Sequence, residues 1–131
     1  MKIIVPTDGD FDFYSCRKLY YQNQKAIGDD AKFNQIIKNT LFFSFYDNKV
    51  LVGCIYLYKR EEKLFFNGFA KPKFHMFNLV AVEIILKSID CDIYAESIQK
   101  PAIYVLLRCG FKRVEPNIFM YKKMGKSQKG Q

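Results

Sequence analysis

A single histidine, His75, and four widely separated cysteines, Cys16, Cys54, Cys91 and Cys109, are all the soft metal ligands this chain has. No Cys-x-x-Cys pair occurs, so a structural zinc site, which needs clustered thiolates or imidazoles, is not expected. A nucleophilic cysteine would have His75 as its only imidazole partner. Each cysteine lies in an apolar segment and is read as a small buried hydrophobe. Long apolar runs are also missing. Lys, Arg, Asp or Asn interrupts every stretch well short of the ~20 residues a membrane helix needs. The start, Met1-Lys2-Ile3-Ile4-Val5-Pro6, has one cation and too short an apolar run for a signal peptide. The expected setting is therefore the cytoplasm, with no membrane partner.

Acids are absent from the last ten residues, which hold Lys122, Lys123, Lys126 and Lys129. Half of the net charge of +8 thus sits in that stretch, and residues 124–131 are read as a flexible basic tail behind one domain spanning 1–123. Because the excess is so localised, nucleic acid is only the third-ranked partner. The abundance of Lys, Asn, Ile, Phe and Tyr has the flavour of an AT-rich genome, which fits a bacteriophage origin. In that case the host cytoplasm or a virion would be the setting. The sequence is 50% hydrophobic and 17% aromatic, and so has ample means to build a core.

The chain opens with a short strand, Lys2 to Thr7. Asp8-Gly9-Asp10 offers a turn and a helix N-cap ahead of Phe13, Cys16, Leu19 and Tyr20 at helical spacing. Gly28 ends that helix, and Asp29-Asp30 cap a second one carrying Phe33, Ile36 and Ile37. The period then shortens. Leu41–Tyr46 and Val50–Tyr58 are aromatic and β-branched runs around the Asp47-Asn48-Lys49 turn. A charged turn, Lys59 to Lys63, leads into a strand from Leu64 to Ala70. Phe74–Ile89 is helical, with Val80, Ile84 and Ile85 as its stripe and Glu83–Lys87 as an i,i+4 pair. A strand at Cys91–Ala95, a helix at Pro101–Cys109, and strands near Phe111–Val114 and Ile118–Lys122 follow.

The stretch Gln99 to Arg113 carries the most information. Pro101 suits a first helical turn and Gly110 suits the position just past a helix end. The Gly110-Phe111 pair leads directly into a strand. This unit resembles the C-terminal part of the GNAT N-acetyltransferases, in which a helix ends in a Gly-Phe that starts the sixth strand. The element order β-α-α-β-β-β-α-β-α-β-β resembles theirs over residues 1–123. The resemblance implies an α/β (α+β) three-layer fold, a mixed six- or seven-stranded sheet with helices on both faces. It also implies acetyl-CoA held between splayed fourth and fifth strands, and transfer of the acetyl group to an amine.

Carried onto this sequence, the resemblance places cofactor contacts at Asn67, Gly68, Phe69, Lys71, Lys73, Phe74, His75 and Gln99. Gly68 would mark a bulge that opens the cleft, the competing reading being an ordinary Asn67-Gly68 hairpin turn; with the bulge, a backbone N–H near Phe69 would meet the thioester oxygen. The family's phosphate loop is glycine-rich, but Phe69 to Met76 contains no glycine, and Pro72 removes an N–H. Lys71 and Lys73, with His75, would then supply charge instead. The tyrosine that often serves as general acid is replaced by Leu106. Tyr104 stands two residues away, about 200° around the helix. Glu96, at a strand end, is the best-placed base. Tyr104 and Glu96 are thus the catalytic candidates. The alternative is a catalytically inactive GNAT-fold protein acting as a binding or structural component, virion-associated if phage-encoded, through self-association or a protein partner.

Overall fold

Residues of β-branched and aromatic type alternate along the middle of the chain, and the alternation sends two sets of side chains to two faces of one sheet. The computed structural model describes residues 1–72 and 77–123. Within them run β1 (Lys2–Ile4), α1 (Phe13–Ile27), α2 (Phe33–Asn39), β2 (Leu41–Asp47), β3 (Val50–Arg60) and β4 (Lys63–Ala70). Then come α3 (Phe77–Ser88), β5 (Ile93–Glu96), α4 (Lys100–Arg108), β6 (Lys112–Glu115) and β7 (Ile118–Tyr121). The seven strands form one mixed sheet in the order β1-β2-β3-β4-β5-β7-β6. Only β4 and β5 are parallel neighbours, as their crossover through α3 requires.

One face of the sheet carries α1 and α2. Cys16, Leu19, Tyr20, Phe33 and Ile36 pack there on Phe42, Cys54, Tyr56 and Phe69. The other face carries α3 and α4, whose Val82, Ile85, Leu86 and Leu106 pack on Phe45, Ile55, Leu57 and Ile93. The expected three-layer α/β architecture is what the chain adopts. Val52 is the extra residue of a bulge, because Phe45 pairs with Gly53 and Tyr46 with Leu51. That step reverses the alternation, so that Leu51 shares a face with Cys54 and Tyr56 and Val52 with Ile55 and Leu57.

Both central hairpins close on two-residue left-handed turns, Asn48-Lys49 (φ 48° and 66°) and Glu61-Glu62 (φ 53° and 63°). This conformation matches the strand twist but is best suited to Asn-Gly. The end of α4 explains the Gly-Phe pair. Gly110 N–H donates to Leu107 O at 3.1 Å and Phe111 N–H to Leu106 O at 3.0 Å. Gly110 has φ 97°. This is a Schellman motif, with Leu106 and Phe111 both buried as its apolar clasp.

Several local expectations are corrected. The first strand stops at Ile4, because Asp8 closes a turn by accepting from Val5 N–H (2.9 Å) while its own N–H donates to Val5 O. The N-cap of α1 is Asp12, not the Asp8–Asp10 turn; its carboxylate accepts from Ser15 N–H and Oγ. Helix α2 starts from Lys32, and Asp29 instead folds onto Ala31 N–H at 2.9 Å. Glu83 and Lys87 form no ion pair, as exposed partners gain little from closing one. Cys16 and Cys54 are buried, but Cys91 precedes β5 and is exposed. At Gly68 the register Tyr56↔Asn67, Ile55↔Gly68, Cys54↔Phe69 runs unbroken, so the expected bulge is absent. The tail 124–131 lies outside the described residues. Lys123 just before it is tied down, its Nζ donating to Leu86 O (2.9 Å) near the end of α3.

Gly110→Ala is expected to cost about 1–2 kcal/mol through its left-handed φ alone, since a Cβ there would only touch the Tyr121 ring at 3.5 Å. Thermal unfolding should show Tm lowered by roughly 3–10 °C; an unchanged Tm would contradict the capping assignment.

Candidate functional site

Strand β4 is bonded to β3 along its whole length but to β5 only at Leu64↔Ile93 and Phe65↔Tyr94. Strand β5 is four residues long and pairs on its other side with β7. From Phe66 onward the far edge of β4 therefore faces a gap. Lys71 N–H donates back to Val52 O at 3.0 Å. Backbone groups of alternate residues face opposite edges, so those of Asn67 and Phe69 also serve β3, while those of Phe66, Gly68 and Ala70 turn to the gap. Gly68 N–H accordingly has no strand partner; it donates to the side-chain oxygen of Asn67 at 2.9 Å. The donor expected near Phe69 is thus one residue earlier, at Gly68. A Cβ there would stand 3.2 Å from Cys54 O and 3.3 Å from Ile55 Cγ1, a tight fit that glycine avoids.

On the α1–α2 face beside the gap, rings run across three strands. Tyr56 and Tyr58 of β3 lie 6.0 Å apart, Tyr58 and Phe65 6.0 Å, and Phe65 and Tyr94 of β5 5.6 Å. Arg60 covers Phe65 at 4.4 Å and Lys63 covers Tyr94 at 5.1 Å, a favourable place for a cation. Two carboxylates flank this strip. Asp29 accepts from Tyr56 OH at 2.8 Å, and Glu96 accepts from Arg60 at 2.8 Å. Burial raises the Tyr58 phenol, and the charges of Asp29 and Glu96 push it the same way, while Arg60 opposes. Both carboxylates therefore bear on one tyrosine.

The structure brings together Asn67, Gly68 and the Glu96 strip around the gap. Phe69 offers no side chain to it, being buried against Tyr20, Phe42 and Tyr56. Lys71 lines a separate cleft beside α1. Gln99 is the exposed residue ahead of α4, and its side chain makes no cap bond. Tyr104 is 58% exposed with Arg108 6.0 Å from its ring. It joins no hydrogen bond or aromatic pair with β4 or β5 among the described residues. Leu106, at the family's tyrosine position, is buried in the core. Lys73, Phe74 and His75 lie outside the described residues. Among the described residues no three His, Cys, Asp or Glu side chains are grouped to hold a metal ion, and no helix is long and apolar enough to cross a membrane.

No protein-family model matches the chain, and no curated protein matches it in sequence. Solved structures do match it in shape. An N-acetyltransferase from Staphylococcus aureus Mu50 superposes with a TM-score of 0.69 at 16% identity, over 93% of this chain and 98% of that one. The aminoglycoside 6'-N-acetyltransferase from Enterococcus faecium gives 0.72 at 11% identity, over 95% and 98%. A GNAT family acetyltransferase from Elizabethkingia anophelis, solved with acetyl-CoA bound, gives 0.66 at 14% identity, over 92% and 97%. The chain has the GNAT fold. Near-complete coverage in both directions means that the likeness extends over almost the whole of each chain.

Three residues of this GNAT-fold site escaped the sequence reading. In sequence Asp29 reads as a helix cap, Arg60 as part of a charged turn, and Tyr58 as one of nine tyrosines. For Tyr58 and Arg60 the signal is the two-residue period, which puts Tyr56, Tyr58 and Arg60 on one face of β3; Asp29, in the α1–α2 loop, has no such signal.

Burial pushes the phenols of Tyr20 and Tyr46 up to about 12, and that of Tyr56, bonded to Asp29, higher still. In the unfolded chain all three ionise near 10. Above pH 10 the unfolded state therefore binds fewer protons, and stability falls as pH rises. Urea unfolding at pH 8, 10 and 11 is expected to show a falling midpoint from pH 10 upward, with a shallower fall in Tyr56→Phe. A midpoint constant to pH 11 would contradict these assignments.

Proposed function

We propose that this chain is an acyl-CoA-dependent N-acyltransferase that takes its thioester into the gap between β4 and β5. The observation that carries this reading is the Gly68 N–H, directed into the gap and met only by the adjacent Asn67 amide. An extended amide-bearing arm can pair with the free edge of Phe66 to Ala70 as an added strand would. The geometry therefore fits the pantetheine arm of acetyl-CoA. The support from neighbours is that structures of this fold carry acetyl-CoA or CoA.

The gap's chemistry follows from its lining. Gly68 N–H is the donor for negative charge gathering on the thioester oxygen. Glu96, held by Arg60 at 2.8 Å, takes a proton from the incoming ammonium through water. The amine nitrogen then bonds to the carbonyl carbon as the carbon–sulfur bond breaks, and the second proton of that nitrogen passes through water to the departing thiolate. Asp29 and the Tyr58–Phe65–Tyr94 strip lie where a cationic acceptor would approach, offering charge and ring faces. On the phosphate side Pro72 supplies no N–H, so the charge of Lys73 takes that part.

Calorimetric titration with acetyl-CoA and with desulfo-CoA at moderate salt is expected to give Kd on the order of micromolar. Silence up to about millimolar for both would overturn the reading and leave a GNAT-fold binding or structural component. Once an acceptor is in hand, Glu96→Gln should lower kcat by about 10²-fold or more while leaving the acetyl-CoA Kd unchanged. An unaltered kcat would remove Glu96 from the chemistry.

A further inference from the structure

Away from the gap, on the α1 side of the sheet, lies an open cleft of about 500 Å³. Three elements deliver a lysine to it. Lys18 comes from α1, Lys49 from the β2–β3 turn, and Lys71 from the residue after β4. The backbone of Lys71 is pinned by its bond to Val52 O at 3.0 Å. Lys49 sits at φ 66°, where glycine would be less strained; a lysine there places a cation over the cleft. Among the described residues none of the three has a carboxylate partner. The two ion pairs among the described residues are Lys2–Asp10 and Arg60–Glu96. Asp12 also lines the cleft; its carboxylate accepts from Ser15 N–H at 3.0 Å and Ser15 Oγ at 2.7 Å, and its single charge leaves the three lysines in excess. Tyr46, whose phenol burial keeps protonated, adds a donor at the wall.

Three unpaired cations around a concave site repel one another, and a multiply charged anion relieves that repulsion. We propose that this cleft binds a small molecule carrying two or more phosphate groups, the class of nucleoside di- and triphosphates. A cleft of this size suits such a ligand. Lys18, Lys49 and Lys71 meet the phosphates, and the exposed edge of Val50 underlies the organic part. The site is independent of the acyl-CoA reading and lies on a different side of β4.

The test is calorimetry of the full chain with inorganic tripolyphosphate and with ADP, with and without saturating acetyl-CoA. Wild type should bind both, with affinity falling as salt rises. Lys18→Glu with Lys49→Glu should weaken both at least tenfold, with acetyl-CoA affinity and Tm unchanged. If tripolyphosphate binds and ADP does not, the ligand is a free polyphosphate and the nucleotide assignment is overturned. If acetyl-CoA displaces tripolyphosphate, the lysines belong to the acyl-CoA phosphates and the separate site is overturned. The proposal is equally overturned by binding that ignores the double substitution, or by no binding of either probe at millimolar concentration. It fails too if a single-stranded oligonucleotide binds through these lysines while the small anions do not.

Discussion

Everything distinctive about this molecule depends on a parallel strand pair that is only two residue pairs long. Antiparallel neighbours can be joined by tight turns and zip to their ends, as β3 and β4 do over eight pairs. Strands β4 and β5 are joined by a helical crossover instead, and they meet only at Leu64↔Ile93 and Phe65↔Tyr94. Strand β5 keeps its remaining bonds for β7. An open strand edge in the middle of a sheet is costly unless something pairs with it. Asn67 meets part of that need by lending its side-chain oxygen to Gly68 N–H. The same vacancy leaves the edge from Phe66 to Ala70 open on its β5 side.

The layers on either side hold that gap open. The α1–α2 layer is built from aromatic rings, with Phe33, Phe42, Tyr56 and Phe69 within 5.6–6.5 Å of one another or of Tyr20. Tyrosine in such a core needs partners for its hydroxyl. Tyr20 donates to Ala31 O and Tyr56 to Asp29, so the α1–α2 loop is tied to the sheet by the groups that would otherwise be unsatisfied. No buried side-chain polar atom is left without a partner among the described residues. The loop's position beside the gap is therefore a consequence of core chemistry.

Charge is distributed with the same economy. The cations of Arg60 and Lys63 lie on ring faces, and Lys123 closes the end of α3. Each of these has a structural use, whereas Lys18, Lys49 and Lys71 share the α1-side cleft. The net charge of the chain is therefore a poor guide to its partners, whereas the location of the unpaired lysines is informative.

The order of elements, the two hairpins, the helix stop at Gly110 and the resulting fold were legible in the sequence. They depend on short-range rules: apolar period, turn residues, and the left-handed conformation that glycine adopts freely. Glu96 could be placed at a strand end for the same reason. What tertiary structure alone decided is which groups face one another. Asp29 could cap a helix or accept from Tyr56, and only packing of the α1–α2 loop on β3 selected the second. Gly68 could bulge, turn or run straight; the continuous pairing with β3 chose the last, and the brevity of β5 then left its N–H free. Lys71 follows β4 directly, yet its side chain lines the cleft shared with α1 and the β2–β3 turn. Such outcomes turn on contacts between residues up to 40 positions apart, such as Asn67 with Ile27, which local propensity does not encode.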